Sequence, residues 1–312
     1  MPRWTADQIP DQAGRTAVVT GANSGLGLVT ARELARRGAR IIMGVRAVGK
    51  GERAAADIRA AAPGAGLEVR RLDLGDLASV RAFASEVAAT HPALDLLINN
   101  AGIMMPPRGT TADGFETQLG TNHLGPFALT GLLLAALQAT PGARVVTVSS
   151  IEHKPGHIDF EDLQKERSYA PRNAYRQSKM ANALFGLELD RRLRQAGSPL
   201  ISVLAHPGYS DTNLQTSGPS GIARLAMKYV GNRVIAQSAE RGALPQLFAA
   251  TAPGVEGGAF YGPDGFQEMR GHPTLVQPTL EATDPDIARR LWAVSEELTG
   301  VSYPLPTPVA SP

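Results

Sequence analysis

The 312-residue chain has no cysteine. That excludes disulfides, thiolate-held metals and cysteine nucleophiles, and it fits a reducing compartment. Missing too is any uninterrupted apolar run of the ~18 residues that a transmembrane segment needs. Residues 1–14 are polar apart from Trp4 and Ile9, so they do not read as a leader or an anchor. Neither sign of charge prevails: 31 Lys+Arg stand against 29 Asp+Glu, a formal +2. The basic residues are dispersed, which gives no case for a nucleic-acid partner. Repeats and low-complexity tracts are absent as well. The expectation is a soluble, cytoplasmic protein, and a 43% hydrophobic content suffices for a large core.

What is present alternates. A β-branched strand over 16–19 runs into Thr20-Gly21-Ala22-Asn23-Ser24-Gly25-Leu26-Gly27 and then a helix to about Arg37, stopped by Gly38. A strand over 40–45, a helix over 50–62 and a strand over 67–72 follow. Asp76 opens a helix whose apolar positions Val80, Phe83 and Val87 recur at helical spacing. A fourth strand, 94–98, ends at Asn99-Asn100-Ala101-Gly102. A long helical pattern from about Asp113 carries Phe115, Leu119, Asn122 and Leu129 to Leu137. The fifth strand, 144–148, precedes Ser149-Ser150, and an irregular polar stretch occupies 151–172. Helix resumes through Tyr175, Leu184 and Leu193, and a sixth strand, 200–204, stops at His206-Pro207-Gly208.

Helices alternating with buried apolar strands predict an α/β fold. It should be a doubly wound, Rossmann-type three-layer sandwich with a mostly parallel central sheet. The organisation predicted is an N-terminal arm (1–14) and one domain (15–302). That domain includes an insertion (151–172), a substrate-covering segment (about 209–235) and a C-terminal extension from about 263. A Pro-rich tail (303–312) should be extended or frayed.

Several of these residues suggest chemistry. Glycines after a first strand, opening a helix, let backbone and helix N-terminus approach a pyrophosphate; otherwise they form a tight turn. On a helix, Tyr175 and Lys179 share a face. A phenol titrates near ~10, and an ammonium beside it favours the phenolate, so the pair could exchange a proton with an alcohol oxygen. The bland alternative is a solvated helix face. His153, His157, Asp159, Phe160, Glu161 and Asp162 lie on a polar loop and read as solvated rather than as a metal cluster.

Together, Thr20 to Gly27 with its Gly-x-x-x-Gly-x-Gly spacing, Asn99-Asn100-Ala101-Gly102, Ser150, Tyr175-x-x-x-Lys179 and Pro207-Gly208 resemble the classical short-chain dehydrogenase/reductase family. The resemblance covers about 15–208, with every motif in the family's order. Val45-Arg46, Lys50-Gly51-Glu52 and the segment 153–184 look like the branch of retinol dehydrogenases and the WW-domain-containing oxidoreductase. The long separation of Ser150 from Tyr175 also fits that branch.

The resemblance implies an NAD(P)-dependent alcohol/carbonyl oxidoreductase with a small-molecule alcohol, ketone or aldehyde as substrate. It assigns catalysis to Asn122, Ser150, Tyr175 and Lys179. Asn122 would act through a kinked helix whose carbonyl holds a water beside Lys179, and Lys179 would lower the Tyr175 pKa. Cofactor contacts would come from Gly21, Asn23, Ser24, Gly25, Leu26, Gly27, Asp73, Leu74, Asn100, Ala101, Gly102, Tyr175, Lys179, Pro207, Gly208 and Thr212. No acid ends the second strand; Arg46 stands there and could pair with a 2′-phosphate or stack on adenine, which favours NADP(H), with NAD(H) as the alternative. Apolar walls are expected from Ile103, Met104, Met105 and Pro106, and from Leu214, Ile222, Leu225, Met227 and Tyr229. His123 and His206 read as structural.

Other readings are a sugar-nucleotide epimerase or dehydratase, which shares Tyr-x-x-x-Lys, and a nicotinamide-binding regulator without turnover. Protochlorophyllide reductase, similar in sequence, would need a cysteine near the site. By resemblance, the helices bearing Asn122 and Tyr175 would pair between subunits of a homodimer or homotetramer.

Overall fold

The computed structural model describes residues 3–209 and 237–305. Its strands are β1 (Thr16–Thr20), β2 (Arg40–Val45), β3 (Leu67–Arg71), β4 (Leu96–Asn99), β5 (Arg144–Val148), β6 (Ile201–Ala205), β7 (Phe260–Pro263) and β8 (Pro273–Leu275). They form one sheet in the order β3-β2-β1-β4-β5-β6-β7-β8, parallel except for the edge pair β7–β8. The chain thus has the predicted Rossmann-type α/β fold.

The sheet is covered on both faces, which is why its central strands are largely apolar rather than alternating, while edge strand β3 carries Glu68, Arg70 and Arg71. Ala17 and Val19 face one helical layer and Val18 the other. The first layer comprises α1 (Gly25–Arg36), α2 (Val48–Ala61) and, late in the chain, α7 (Ala239–Gly242) and α8 (Leu244–Thr251). The second contains α3 (Leu77–Thr90), α5 (Gly125–Gln138) and α6 (Pro171–Gln195).

Some boundaries differ from the sequence pattern for identifiable reasons. The helix expected from about Asp113 starts at α4 (Thr117–Leu119), because Glu116 caps it: its carboxylate accepts from Gln118 N at 2.9 Å and Leu119 N at 2.7 Å. Ahead of it, Thr110 bridges Glu116 in a turn. A π-helical turn (Gly120–Leu124) then precedes α5. The helix expected over 50–62 begins two residues earlier, and β4 ends at Asn99 rather than Ile98. Within 151–172, a short 3₁₀ turn (Ile151–His153) is followed by irregular chain tied by Lys165 to Asp159 at 2.8 Å.

The C-terminal extension adds β7, β8, α9 (Leu280–Thr283) and α10 (Pro285–Thr299). Helix α10 lies against α5 and α6 and buries Trp292 among Phe127, Phe185 and Tyr303, with ring centroids 4.6–5.9 Å from the indole. Arg192 stacks over the indole at 4.2 Å. Tyr303, which the sequence placed at the start of a frayed tail, is buried and donates its hydroxyl hydrogen to Phe127 O at 2.6 Å. Among the described residues no helix is long and apolar enough to cross a membrane. Thr212, the apolar residues from Leu214 to Tyr229 and most of the segment expected at 209–235 lie outside the described residues.

Candidate active site

A cleft of about 280 Å³ opens at the C-terminal ends of β1, β2, β3 and β4. It is lined by Gly21, Asn23, Ser24, Gly25, Leu26, Gly27, Arg46, Asp73, Leu74, Asn100, Ala101 and Gly102, together with Lys50 and Thr121. Its floor is glycine because nothing larger fits. A Cβ on Gly27 would stand 2.4 Å from Gly21 O and 2.5 Å from Asn100 Nδ2. The Ser24 hydroxyl makes no capping bond, so the first-turn amides of α1 point into the cleft with the positive end of the helix dipole. A bare helix N-terminus over a glycine floor fits a dinucleotide pyrophosphate.

Thr20 ties the cleft together. Its hydroxyl donates to Ile98 O and accepts from the amides of Asn100 and Ala101 at 3.0 and 2.9 Å. Asn100 Nδ2 donates to Thr20 O at 2.8 Å, while Asn100 Oδ1 accepts from Gln246 Nε2 at 3.2 Å. At the rim, Arg46 and Lys50 are both exposed, two cations with no acid between them. Lys50 carries no motif of its own; its place one turn beyond Arg46, at the start of α2, is the signal in the sequence. Asp73 Oδ1 accepts from Gly75 N at 3.0 Å, which holds the turn after β3.

The catalytic candidates lie beyond the inner end of this cleft. Gly102 is the hinge between the two: a Cβ there would be 3.1 Å from Asn122 Oδ1 and 3.6 Å from Lys179 Nζ. Asn122, on the π turn, is fully buried. Its amide donates to Ile103 O and to Ser178 Oγ, each at 2.9 Å, and its oxygen accepts from Ile103 N at 2.8 Å. The side chain therefore fastens the loop after β4 to α6. Its neighbour His123 turns the other way, with Nε2 2.8 Å from Ser295 Oγ. Since that hydroxyl donates to Leu291 O, it accepts from the imidazole. Burial holds His123 neutral, pulling it down to about 3, as a structural residue.

Lys179 and Tyr175 both project from α6 and are 5% and 6% exposed. Lys179 Nζ donates to Val148 O at 3.2 Å and stands 5.8 Å from the Tyr175 ring centroid. Burial pushes the Tyr175 phenol up to about 12; the Ser150 hydroxyl opposes the rise and the Glu152 charge adds to it. Burial also pulls the Lys179 ammonium down to about 8. The lowering of Tyr175 by Lys179 expected from the sequence is thus not met by the polypeptide itself. Both groups are buried, and desolvation makes each resist its charged form.

The two serines after β5 divide. Ser149 Oγ donates to Lys179 O at 2.8 Å and is committed to packing α6 on the sheet. Ser150 faces Tyr175 and caps the following 3₁₀ turn by accepting from Glu152 N. Pro207 and Gly208 sit at the end of the adjacent strand, β6. Among the described residues no group of three His, Asp or Glu side chains is placed to hold a metal ion.

Residues 15–221 match the model of the short chain dehydrogenase family. Retinol dehydrogenase 12 of Homo sapiens is 44% identical over 294 residues, covering 93% of this chain and 88% of that protein. Polyprenol dehydrogenase of Mus musculus is 42% identical over 296 residues, covering 94% and 86%. The solved structure of an uncharacterised protein from Mycobacterium paratuberculosis is 49% identical and matches with a TM-score of 0.80, over 97% of this chain and all of that one. The chain belongs to the short-chain dehydrogenase/reductase family, in its retinol dehydrogenase-like branch, and is an NAD(P)-dependent oxidoreductase acting on alcohol and carbonyl groups.

Proposed function

We propose that the protein interconverts a hydrophobic alcohol and its carbonyl compound with NADP(H), using Tyr175 as general acid and base. The observation that carries this is the convergence on Gly102. The glycine-floored cleft ends there, within reach of Lys179 and Asn122. When bound, the nicotinamide supplies or accepts the hydride, and its oxidised form adds a positive charge that favours the Tyr175 phenolate.

The chain's own residues do the rest. Ser150 holds the substrate oxygen against Tyr175, which gives it a proton in reduction and takes one in oxidation. Lys179, held by Val148 O, stands between the phenol and the cleft. Asn122 keeps the loop after β4 and helix α6 in register, so these groups do not drift apart. Ile103 to Pro106 supply apolar surface beside them. At the rim, Arg46 and Lys50 would receive the 2′-phosphate of NADP(H), and no acid stands there to repel it.

The test is a panel of apolar alcohols, aldehydes and ketones followed at the nicotinamide absorbance, with Tyr175→Phe as control. Turnover by the wild-type enzyme that persists undiminished in this variant would refute the assignment of Tyr175.

A further inference from the structure

His206 and Glu268 take no part in the site as described, yet they join its two innermost loops. His206 directly follows β6 and is fully buried. The Gly208 amide donates to its Nδ1 at 3.2 Å, so Nδ1 is unprotonated and Nε2 carries the hydrogen. Nε2 then donates to Glu268 Oε2 at 3.0 Å. The other oxygen, Oε1, accepts from Lys154 Nζ at 2.6 Å. Lys154 lies directly after the 3₁₀ turn that Ser150 caps, and His153 in that turn donates from Nδ1 to Ser150 O at 2.6 Å. Both imidazoles pack on Phe260, at 5.1 and 5.5 Å.

The surroundings are shaped around this contact. A Cβ on Gly262 would meet His206 Nε2 at 2.2 Å, and one on Gly208 would meet Met269 O at 2.4 Å. Tyr209 N donates to Met269 O at 2.7 Å, and Gln237 Nε2 to Pro207 O at 2.6 Å. Gln267 and Glu268 are consecutive non-glycine residues in the left-handed region, with φ of 49° and 57°. Such backbone strain persists where surrounding contacts hold it and is concentrated at functional sites.

We infer that Glu268 is a positioning residue, whose two carboxylate oxygens hold the Ser150 loop and the Pro207-Gly208 loop at a fixed separation and so shape the nicotinamide end of the site. The inference rests on the roles proposed above for Ser150, Tyr175 and Pro207-Gly208. Glu268 touches neither the cleft lining nor the catalytic side chains, and it acts through Lys154 and His206.

The experiment uses the full chain and two ligands, NADP⁺ and 2′-phospho-ADP-ribose, the same molecule without its nicotinamide. Their affinity ratio reports on the nicotinamide end alone. In Glu268→Gln and in Lys154→Met the ratio should shrink roughly fivefold or more, as expected for one lost charge-assisted hydrogen bond, while binding of 2′-phospho-ADP-ribose stays constant. Lys154→Arg should restore the ratio. Lys154 is a surface residue, so its variants fold even if those at Glu268 do not. Turnover should fall about 10–100-fold, the scale of a misplacement near 1 Å. Displacing Ser150 from Tyr175 should also move the Tyr175 limb of the pH–rate profile upward.

An unchanged affinity ratio and pH limb, even with lower thermal stability, would overturn the positioning role. Equal loss for both ligands would overturn it too, because the effect would then be on the fold at large. Full activity in Tyr175→Phe would sink the catalytic reading instead, and the ligand ratio would still read the clamp.

Discussion

The two ends of the active-site cleft are built on opposite terms. At the outer end, Arg46 and Lys50 stand exposed at a rim with solvent around them. At the inner end, Tyr175 and Lys179 are buried and each is shifted against its charged form. Exposed cations exert a screened, modest attraction, which suits discrimination between two similar ligands. Buried groups are held in a state that a neighbouring charge can change, which suits proton transfer. In the function proposed above, the outer end selects and the inner end reacts.

Breaking the inner end should cost most. Tyr175→Phe keeps the ring and removes the proton carrier, and kcat should fall by roughly 10²–10⁴, the usual contribution of general acid–base catalysis. Steady-state rates with a reactive substrate check this.

Lys179→Met should also abolish most turnover, and it sharpens the contrast through stability. With its folded pKa depressed from 10.5 to about 8, Lys179 is held in a costly charged form below pH 8. The unfolded chain binds more protons between about pH 8 and 10.5, so this group makes stability rise with pH across that window. The methionine variant should therefore be more stable than wild type at pH 7, by about 1–3 kcal/mol. The gain should fade as pH approaches 10.5. Thermal melts at pH 7 and pH 10 distinguish this from a constant offset.

Between the two ends, Gly27→Ala should weaken NADPH and NADH alike, by about 1–3 kcal/mol of overpacking against Gly21 O. Equal loss for both, measured by titration, marks the shared pyrophosphate floor. The smallest effect belongs to the outer end. Arg46→Ala should raise the Kd for NADPH by about tenfold and that for NADH by less than about threefold, with the difference shrinking as salt is added. Equal loss for the two cofactors would refute the phosphate role.

Much of this was legible in the sequence because short-range chemistry produced it. The glycine loop sits where it does because strand, turn and helix follow directly in the chain. Tyr175 and Lys179 share a face because the helix period says so. What could not be read depends on long-range neighbours. Strands β7 and β8 are short, rich in glycine and proline, and defined only by pairing, β7 with β6 and β8 with β7. The start of the long helix was misplaced because Glu116 acts as its cap, a residue more at home inside helices. The pKa direction of Tyr175 was not legible because i, i+4 spacing fixes proximity and says nothing of burial. Glu268 was invisible, since it reaches Lys154 and His206 across 114 and 62 residues of chain.

Helix α10 has a consequence of another kind. The wall it forms over α5 and α6, with Trp292 packed on both Phe127 and Phe185, comes from the same polypeptide as the helices it covers. Its docking is a one-molecule event, governed by tether length rather than by encounter between molecules. Dilution leaves it intact. A wall supplied by a second subunit would instead thin out with concentration by mass action.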